Sequence, residues 1–446
     1  MALFCGVGLW VLDAAFGIKV YGDELDVQLA RARELGVPTD ATEITFPTIS
    51  PEQDATAELV AIHKNVQDQR KSVNELRNIL DQDTSLSTNE RSTRFSTEVL
   101  KKHEKQLESA SLIISKPGFQ VARNWNRGPW LALPEYSSFL RIARMLGYRA
   151  CWNFRTGKWS EAIQDLKTLA AWRDYSKQEP VLVGLVVGYS IDMIWLRCHE
   201  NGIATAKDDP TRLRELKGIL ESFRFVPNIK RSFESTPLIA ATCARNIRPM
   251  QQFSYLFLGN NRFSFVREPR RPVTSGIPSS VLGRNMLKSF LEFWNDQQNS
   301  INSGSEPLIV LKQLEDARNE AIADKSLAAD FIRATTSSMD QMRTLVLRHE
   351  ATLRSIEGLL TVFQFKQEFG KVPATMTLAG CRQIDPYSNQ AMKLVAEGQA
   401  VKVYCVGTNL KDDLGKWRGA PNSEGFRGPE LDVGACYPAR EPVAIR

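Results

Sequence analysis

Histidine is scarce: four in 446 residues, at 63, 103, 199 and 349. Three of the four precede glutamate, as His103–Glu104, His199–Glu200 and His349–Glu350, but none continues to H-E-x-x-H, so a zincin site has no support. The seven cysteines, at 5, 151, 198, 243, 381, 405 and 436, include no C-x-x-C, which removes the usual signal for a zinc ribbon or a thioredoxin-type site. G-x-S-x-G and G-x-x-x-x-G-K-[ST] are absent, and Gly6-Val7-Gly8 lacks the third glycine and preceding strand of a dinucleotide site. Neither sign of charge dominates. Lys+Arg 57 against Asp+Glu 51 leaves +6, too dilute over this length to imply nucleic acid. No complete catalytic motif is present, and the residues name no reaction.

What is present is the composition of a globular protein. Hydrophobic residues make up 43% and charged residues 24%, which excludes wholesale disorder, and Gly 27 and Pro 21 are ordinary for the length. A chain this long reads as roughly three units. Residues 2–18 (ALFCGVGLWVLDAAFGI) are apolar except Asp13. An Asp near a helix centre costs about 2.5–3.5 kcal/mol, and each Leu, Ile, Phe or Val returns about 0.3–0.6, so the eight such residues roughly cancel it. No Lys or Arg precedes the segment, so the basic n-region of a signal peptide is missing. A membrane anchor and a buried first helix both remain open. Val181–Leu196 is interrupted by Asp192 and is shorter than a span.

The periodicity is helical over most of the chain. Residues 21–56 read as a polar connecting arm. Residues 57–82 (Leu59, Ile62, Val66, Val73, Leu76, Leu80) and 91–114 form an expected helical hairpin. Residues 117–135 read as a packed loop. Helices are expected at 136–155, 158–177, 180–201, 209–223 and 228–246; 180–201 is apolar around most of its circumference and so central in a bundle. Residues 146–172 resemble a single tetratricopeptide-type hairpin, not an array. Residues 247–283 break the pattern and carry Arg262, Arg267, Arg270 and Arg271 beside Phe263 and Phe265, a solvated loop or a site for an anionic partner. Helices follow at 284–298, 308–325, 327–338 and 339–369, the last stopped by Gly370 and Pro373. Residues 391–395 and 399–406 alternate and read as two strands joined near Glu397–Gly398. The expected fold is mainly α: a helical bundle with hairpins over 57–335, then a small C-terminal α+β domain over 336–446, a long helix plus short antiparallel strands.

That C-terminal region carries FGKVPATMTLAG (369–380), IDPYSN (384–389), VYCVGTNLKDDLG (403–415) and a closing LDV (431–433). In this order the segments resemble the C-terminal domain of the G-type major pseudopilins of type II secretion. There a helix ends in a Gly-x-x-Pro segment, an Asp-Pro precedes a strand pair, and an Asp/Gly-rich loop closes the domain. The whole chain is also similar to larger helical envelope proteins of planctomycete-type bacteria that end in the same tail. The likeness implies a calcium-binding loop and an extracytoplasmic home. Three positions depart from the family pattern: Cys405 stands for a small residue, Asn389 for a glycine, and Leu414–Gly415 for Gly-Gly. About 330 residues separate the N-terminus from the long helix, so pilus assembly is not expected.

Calcium takes six to eight oxygen ligands. Asn409, Asp412, Asp413 and Asp432 could supply side-chain oxygens. The competing reading is that these residues cap turns through side-chain to backbone bonds. Asp385 reads as a cap on the turn before Pro386. Cys405 and Cys436 are either a disulfide or buried thiols. His349 falls on the buried face of the long helix and reads as a hydrogen-bonded core histidine. Trp125, Trp130, Trp152 and Trp159 read as core rather than as a pocket lining. The expectation is a non-enzymatic envelope scaffold with a protein partner, a membrane contact through residues 2–18 and a calcium-stabilised tail. An envelope hydrolase with a dispersed site and a soluble cytoplasmic scaffold are the alternatives.

Overall fold

The computed structural model describes residues 24–46, 48–68, 98, 100–116, 118–245, 279–323, 326–336, 339–415 and 432–438. The apolar segment 2–18, residues 69–97 of the expected hairpin, the arginines of the basic stretch and the loop 416–431 lie outside the described residues.

The chain is mainly α, with a small antiparallel sheet near the C-terminus. In chain order the helices are α1 (24–34), α2 (Thr56–Asp68), α3 (Glu104–Ile113), α4 (Pro134–Arg155), α5 (Trp159–Ser176), α6 (Leu182–Ala206), α7 (Pro210–Ser222), α8 (Ile229–Phe233), α9 (Thr236–Arg245), α10 (Ser279–Asn302), α11 (Pro307–Ala321), α12 (Leu327–Thr335) and α13 (Met339–Phe369). The strands are β1 (Lys393–Glu397), β2 (Ala400–Cys405) and β3 (Val433–Tyr437), in the order β1-β2-β3. The β1–β2 turn pairs Glu397 with Ala400 and places Gly398 at φ 58°, the left-handed backbone that glycine adopts freely.

Two apolar cores organise these elements. The first joins α2, α3, α4, α5, α7, most of α6, the C-terminal part of α13 and the sheet. The second joins α1, Leu185 and Tyr189 of α6, Phe225, α8 to α12, and Met339, Met342 and Val346 of α13. Helices α6 and α13 therefore run through both. The sheet lies on α13 at Gly358, where a Cβ would stand 2.8 Å from Val403 Cγ1 and 2.9 Å from Met376 Cε. A side chain there would push the strands off the helix. Helix α13 ends as the sequence expects, with Gly370 at φ 72° and its N–H donating to Lys366 O.

Several sequence readings are corrected. The expected arm contains α1, whose Leu25, Leu29 and Ala32 pack into the second core; three apolar residues among charges gave too faint a period. The helix expected over 228–246 is broken between α8 and α9, where Ser235 N–H donates to Pro180 O at 3.2 Å. Helix α6 runs to Ala206, so it has 25 residues and reaches the length and mean hydropathy, 1.2, of a membrane-crossing helix, although most of that window is buried inside the protein. The sequence leads to two strands, and the structure adds a third, β3. It is five residues long and buried along most of its length, so no apolar/polar alternation marks it.

Candidate functional site

A charged cluster sits where the two cores meet. Asp192 of α6 receives Arg173 Nη1 of α5 on Oδ1 and His349 Nε2 of α13 on Oδ2, the latter at 2.5 Å. Arg173, Asp192 and His349 are 1%, 1% and 4% exposed. The Arg173 guanidinium also lies 5.0 Å from the Phe225 ring centroid and 5.6 Å from that of Trp195. Tyr189 and Phe225 meet the His349 ring edge-on at 5.0 and 6.0 Å. Burial by itself raises the Asp192 carboxyl; the adjacent Arg173 charge and the His349 bond outweigh it and hold Asp192 below the usual carboxylate range. The cluster has cation, anion and donor but no opening. Its chemistry is the pairing of one buried carboxylate with a guanidinium and with an imidazole hydrogen bond.

One helical turn pair further along α6, His199 is fully buried. Its Nδ1 donates to Trp195 O at 3.1 Å, its ring lies 4.0 Å from the Trp195 ring, and its Nε2 has no partner. Burial pushes its pKa down to about 4. His103 is likewise buried with both ring nitrogens unpartnered, and is pulled down by burial and by the charges of Lys102 and Arg141.

Two further buried pairs hold loops and helices. Arg123, from the loop before α4, grips Glu179 with Nε and Nη2 at 2.6 and 2.7 Å and reaches Glu135 at 3.2 Å. Arg149 of α4 binds Asp165 of α5 at 2.6 Å, with Asn153 as a third member. Glu200 of α6 accepts Cys436 N–H at 2.8 Å, which ties β3 to the bundle.

The residues expected to bind calcium do gather in one loop. Asn409 Nδ2 donates to Asp413 Oδ2 at 2.8 Å. Asp412 Oδ1 accepts from Tyr404 OH and Leu414 N–H, at 2.9 and 3.0 Å. Asp432 accepts from Asp413 N–H at 3.3 Å and from Gly415 N–H at 2.7 Å. Burial raises the Asp432 carboxyl despite these two bonds. Lys393 Nζ lies 3.9 Å from Asp412 Oδ2. As arranged, the four side chains close the turn themselves. Among the described residues, no group of three or more His, Cys, Asp or Glu is placed to hold a metal ion. Asp385 caps its turn as expected, accepting from Tyr387 N–H, Ser388 Oγ–H and Val406 N–H.

Cys405 and Cys436 are buried free thiols. Cys405 pairs with Val433 and Cys436 with Lys402, an odd offset that puts the two side chains on opposite faces of the sheet. The tryptophans diverge: Trp125 packs on Phe46, whereas Trp159 lies against Phe154 and beneath Arg212. A Ser–His contact that sequence spacing could not reveal joins α2 to α4, with His63 Nδ1 2.7 Å from Ser138 Oγ. Ser138 is 1% exposed and lies inside a helix, where backbone N–H groups are committed to the helix and do not form an oxyanion hole. A shallow niche lined by Val37, Pro38, Lys230, Phe233, Trp294 and Gln298 lies away from all these clusters. Arg173 and Asp192 were missed from sequence as partners of His349. The one available signal was an aspartate inside an apolar helix.

Removing Asp192 leaves buried Arg173 with only the partly exposed Asp174 at 3.3 Å as its anion, so Asp192→Ala is expected to lower unfolding free energy by about 3–5 kcal/mol in urea titrations. Asp208→Ala, at an exposed pair with Lys207, is expected to change little. Acid sensitivity follows from His199. Below about pH 6.5 the unfolded histidine binds a proton that the folded one refuses until about pH 4. Stability is therefore complete above that window and falls by about 3 kcal/mol as pH drops through it. Urea midpoints measured across the window should show this slope, and His199→Gln should flatten it by nearly one proton. In comparisons with known proteins, the chain matches no family model, no curated protein and no solved structure.

Proposed function

We propose that this chain is a non-enzymatic helical scaffold or interaction protein of the cell envelope, with residues 2–18 as its membrane attachment. The observation that carries the non-enzymatic reading is where the ionisable groups spend their bonds. Arg173, Asp192, His349, Arg123, Glu179 and Asp165 each bind a neighbour inside the protein rather than converge on a cleft. Catalytic sites expose such groups to a substrate; here they hold helices together. Val183 and Val186, 44% and 38% exposed and one turn apart on α6, offer apolar surface to a protein partner. The envelope location rests on the apolar run and on the likeness of the tail to G-type pseudopilins. One detail supports that likeness. Asn389 and Leu414 stand where that family has glycine, and both have φ 57°, a backbone that glycine adopts without a Cβ penalty.

The hydrolase alternative would use Ser138 as nucleophile and His63 as base. Treatment of the full-length protein with a fluorophosphonate, followed by peptide mapping, is expected to leave Ser138 unmodified. A stoichiometric adduct at Ser138 that disappears in His63→Ala would overturn the non-enzymatic reading.

The second reading concerns the tail alone, and is favoured by the gathering of Asn409, Asp412, Asp413 and Asp432 in one loop. Calcium binding there would stabilise the folded state by mass action. Millimolar calcium would then raise the thermal midpoint of the full chain, and Asp412→Ala or Asp413→Ala would abolish the rise. An unchanged midpoint would mean that the loop is closed by its own hydrogen bonds.

A further inference from the structure

Helices α4 and α6 cross at Gly147, where a Cβ would collide with Ile194 and would lie 3.4 Å from Cys198 Sγ. Glycine lets the two helices approach closely. One turn further along α4, the crossing brings two cysteines together: Cys151 Sγ stands 3.7 Å from Cys198 Sγ. Both are free thiols, 2% and 1% exposed, and Cys198 Sγ also lies 3.3 Å from Gly147 O. A disulfide needs the sulfurs at about 2.05 Å, between residues on closely apposed backbones. Rotation about the two Cα–Cβ bonds with a small helix shift closes that gap. The C-terminal cysteines Cys405 and Cys436 are on opposite sheet faces. Among the described cysteines, the fold thus brings together Cys151 and Cys198, 47 residues apart in sequence.

We propose that Cys151 and Cys198 form an interhelical disulfide when the chain folds in the presence of a small-molecule disulfide such as oxidised glutathione. One cysteine thiolate attacks a glutathione sulfur, breaks its S–S bond and releases one glutathione thiolate. The second cysteine thiolate then attacks the protein-bound sulfur of that mixed disulfide and expels the other glutathione. Two protein thiols are oxidised to one disulfide, one glutathione disulfide is reduced to two thiols, and the two protons pass to the departing glutathione thiolates. Timing follows from burial. In the folded protein neither sulfur can be reached, and the bond from Cys151 together with burial pushes the Cys198 thiol well up, which suppresses the reactive thiolate. The bond therefore forms before the crossing closes, and once formed it is shielded from reductants. It fastens α4 to the C-terminal half of α6, one of the two helices that run through both cores.

The test uses the full chain, unfolded under reducing conditions and refolded either with oxidised and reduced glutathione or with dithiothreitol. Free thiols are then alkylated in denaturant and the protein is digested with trypsin without reduction. The expected product is Ala150–Arg155 joined to Cys198–Lys207, lighter than the sum of the two peptides by two hydrogens. The glutathione-refolded protein should also melt several degrees above the dithiothreitol form, because the cross-link restricts the unfolded chain. Cys198→Ala should abolish both the linked peptide and that difference. Recovery of both peptides alkylated and unlinked from protein that has regained its helical circular dichroism during the glutathione refolding would overturn the proposal, as would either cysteine joined to a different partner. If refolding does not restore the helical circular dichroism, the same mapping on protein made by cell-free translation with and without oxidised glutathione gives the same two outcomes.

Discussion

Asp192 lies in the middle of an apolar helix and has to be neutralised where it stands. Its carboxylate is met from two sides, by Arg173 of α5 and His349 of α13. In a low-dielectric interior an uncompensated charge is costly, so these three helices cannot part or slide without exposing or stranding one of the groups. Apolar contacts tolerate a shift of register; a carboxylate held by two directional donors does not. The location matters because α6 and α13 each belong to both cores. The cluster fixes how the two cores are aligned along those helices, and the aromatic rings of Tyr189, Trp195 and Phe225 seal it from water.

The C-terminal sheet depends on that alignment. Val403 and Met376 rest on α13 at Gly358, and β3 is held from the other side by Glu200 of α6. Both supports belong to helices that the Asp192 cluster positions. Within the tail, polar side chains do what apolar residues do elsewhere. Asp385 satisfies two backbone N–H groups and a hydroxyl, and Asp432 satisfies two more backbone N–H groups, so a loop with few apolar residues holds one shape. Gly434 shows how closely β3 and β2 lie: a Cβ there would stand 2.7 Å from Tyr404 Cα.

Much of this architecture was legible where a strong local signal existed. The 339–369 helix was read with its glycine stop, because its apolar residues keep a helical period and Gly370 and Pro373 end it. The β1–β2 hairpin was read from alternation and Glu397–Gly398. Asp385 was read as a cap and His349 as a bonded core histidine. Signals failed where the period was short or absent. Helix α1 offers three apolar positions, and β3 is a five-residue strand with small residues and no alternation. The last turn of α6, from Gly202 to Ala206, lies beyond the expected end at 201.

By itself the sequence determined the helical class, the end of the longest helix, the β1–β2 hairpin and the Asp385 cap. These depend on contacts among residues near one another in the chain, which composition and period record. Only the tertiary structure decided that Asp192 is a hub rather than a break, that Cys151 meets Cys198 while Cys405 faces away from Cys436, and that His63 touches Ser138. Apart from the Arg173–Asp192 pair, each of these joins residues 47 or more apart, or turns on strand register, and depends on how whole helices and strands are placed. Local pattern carries no information about that placement.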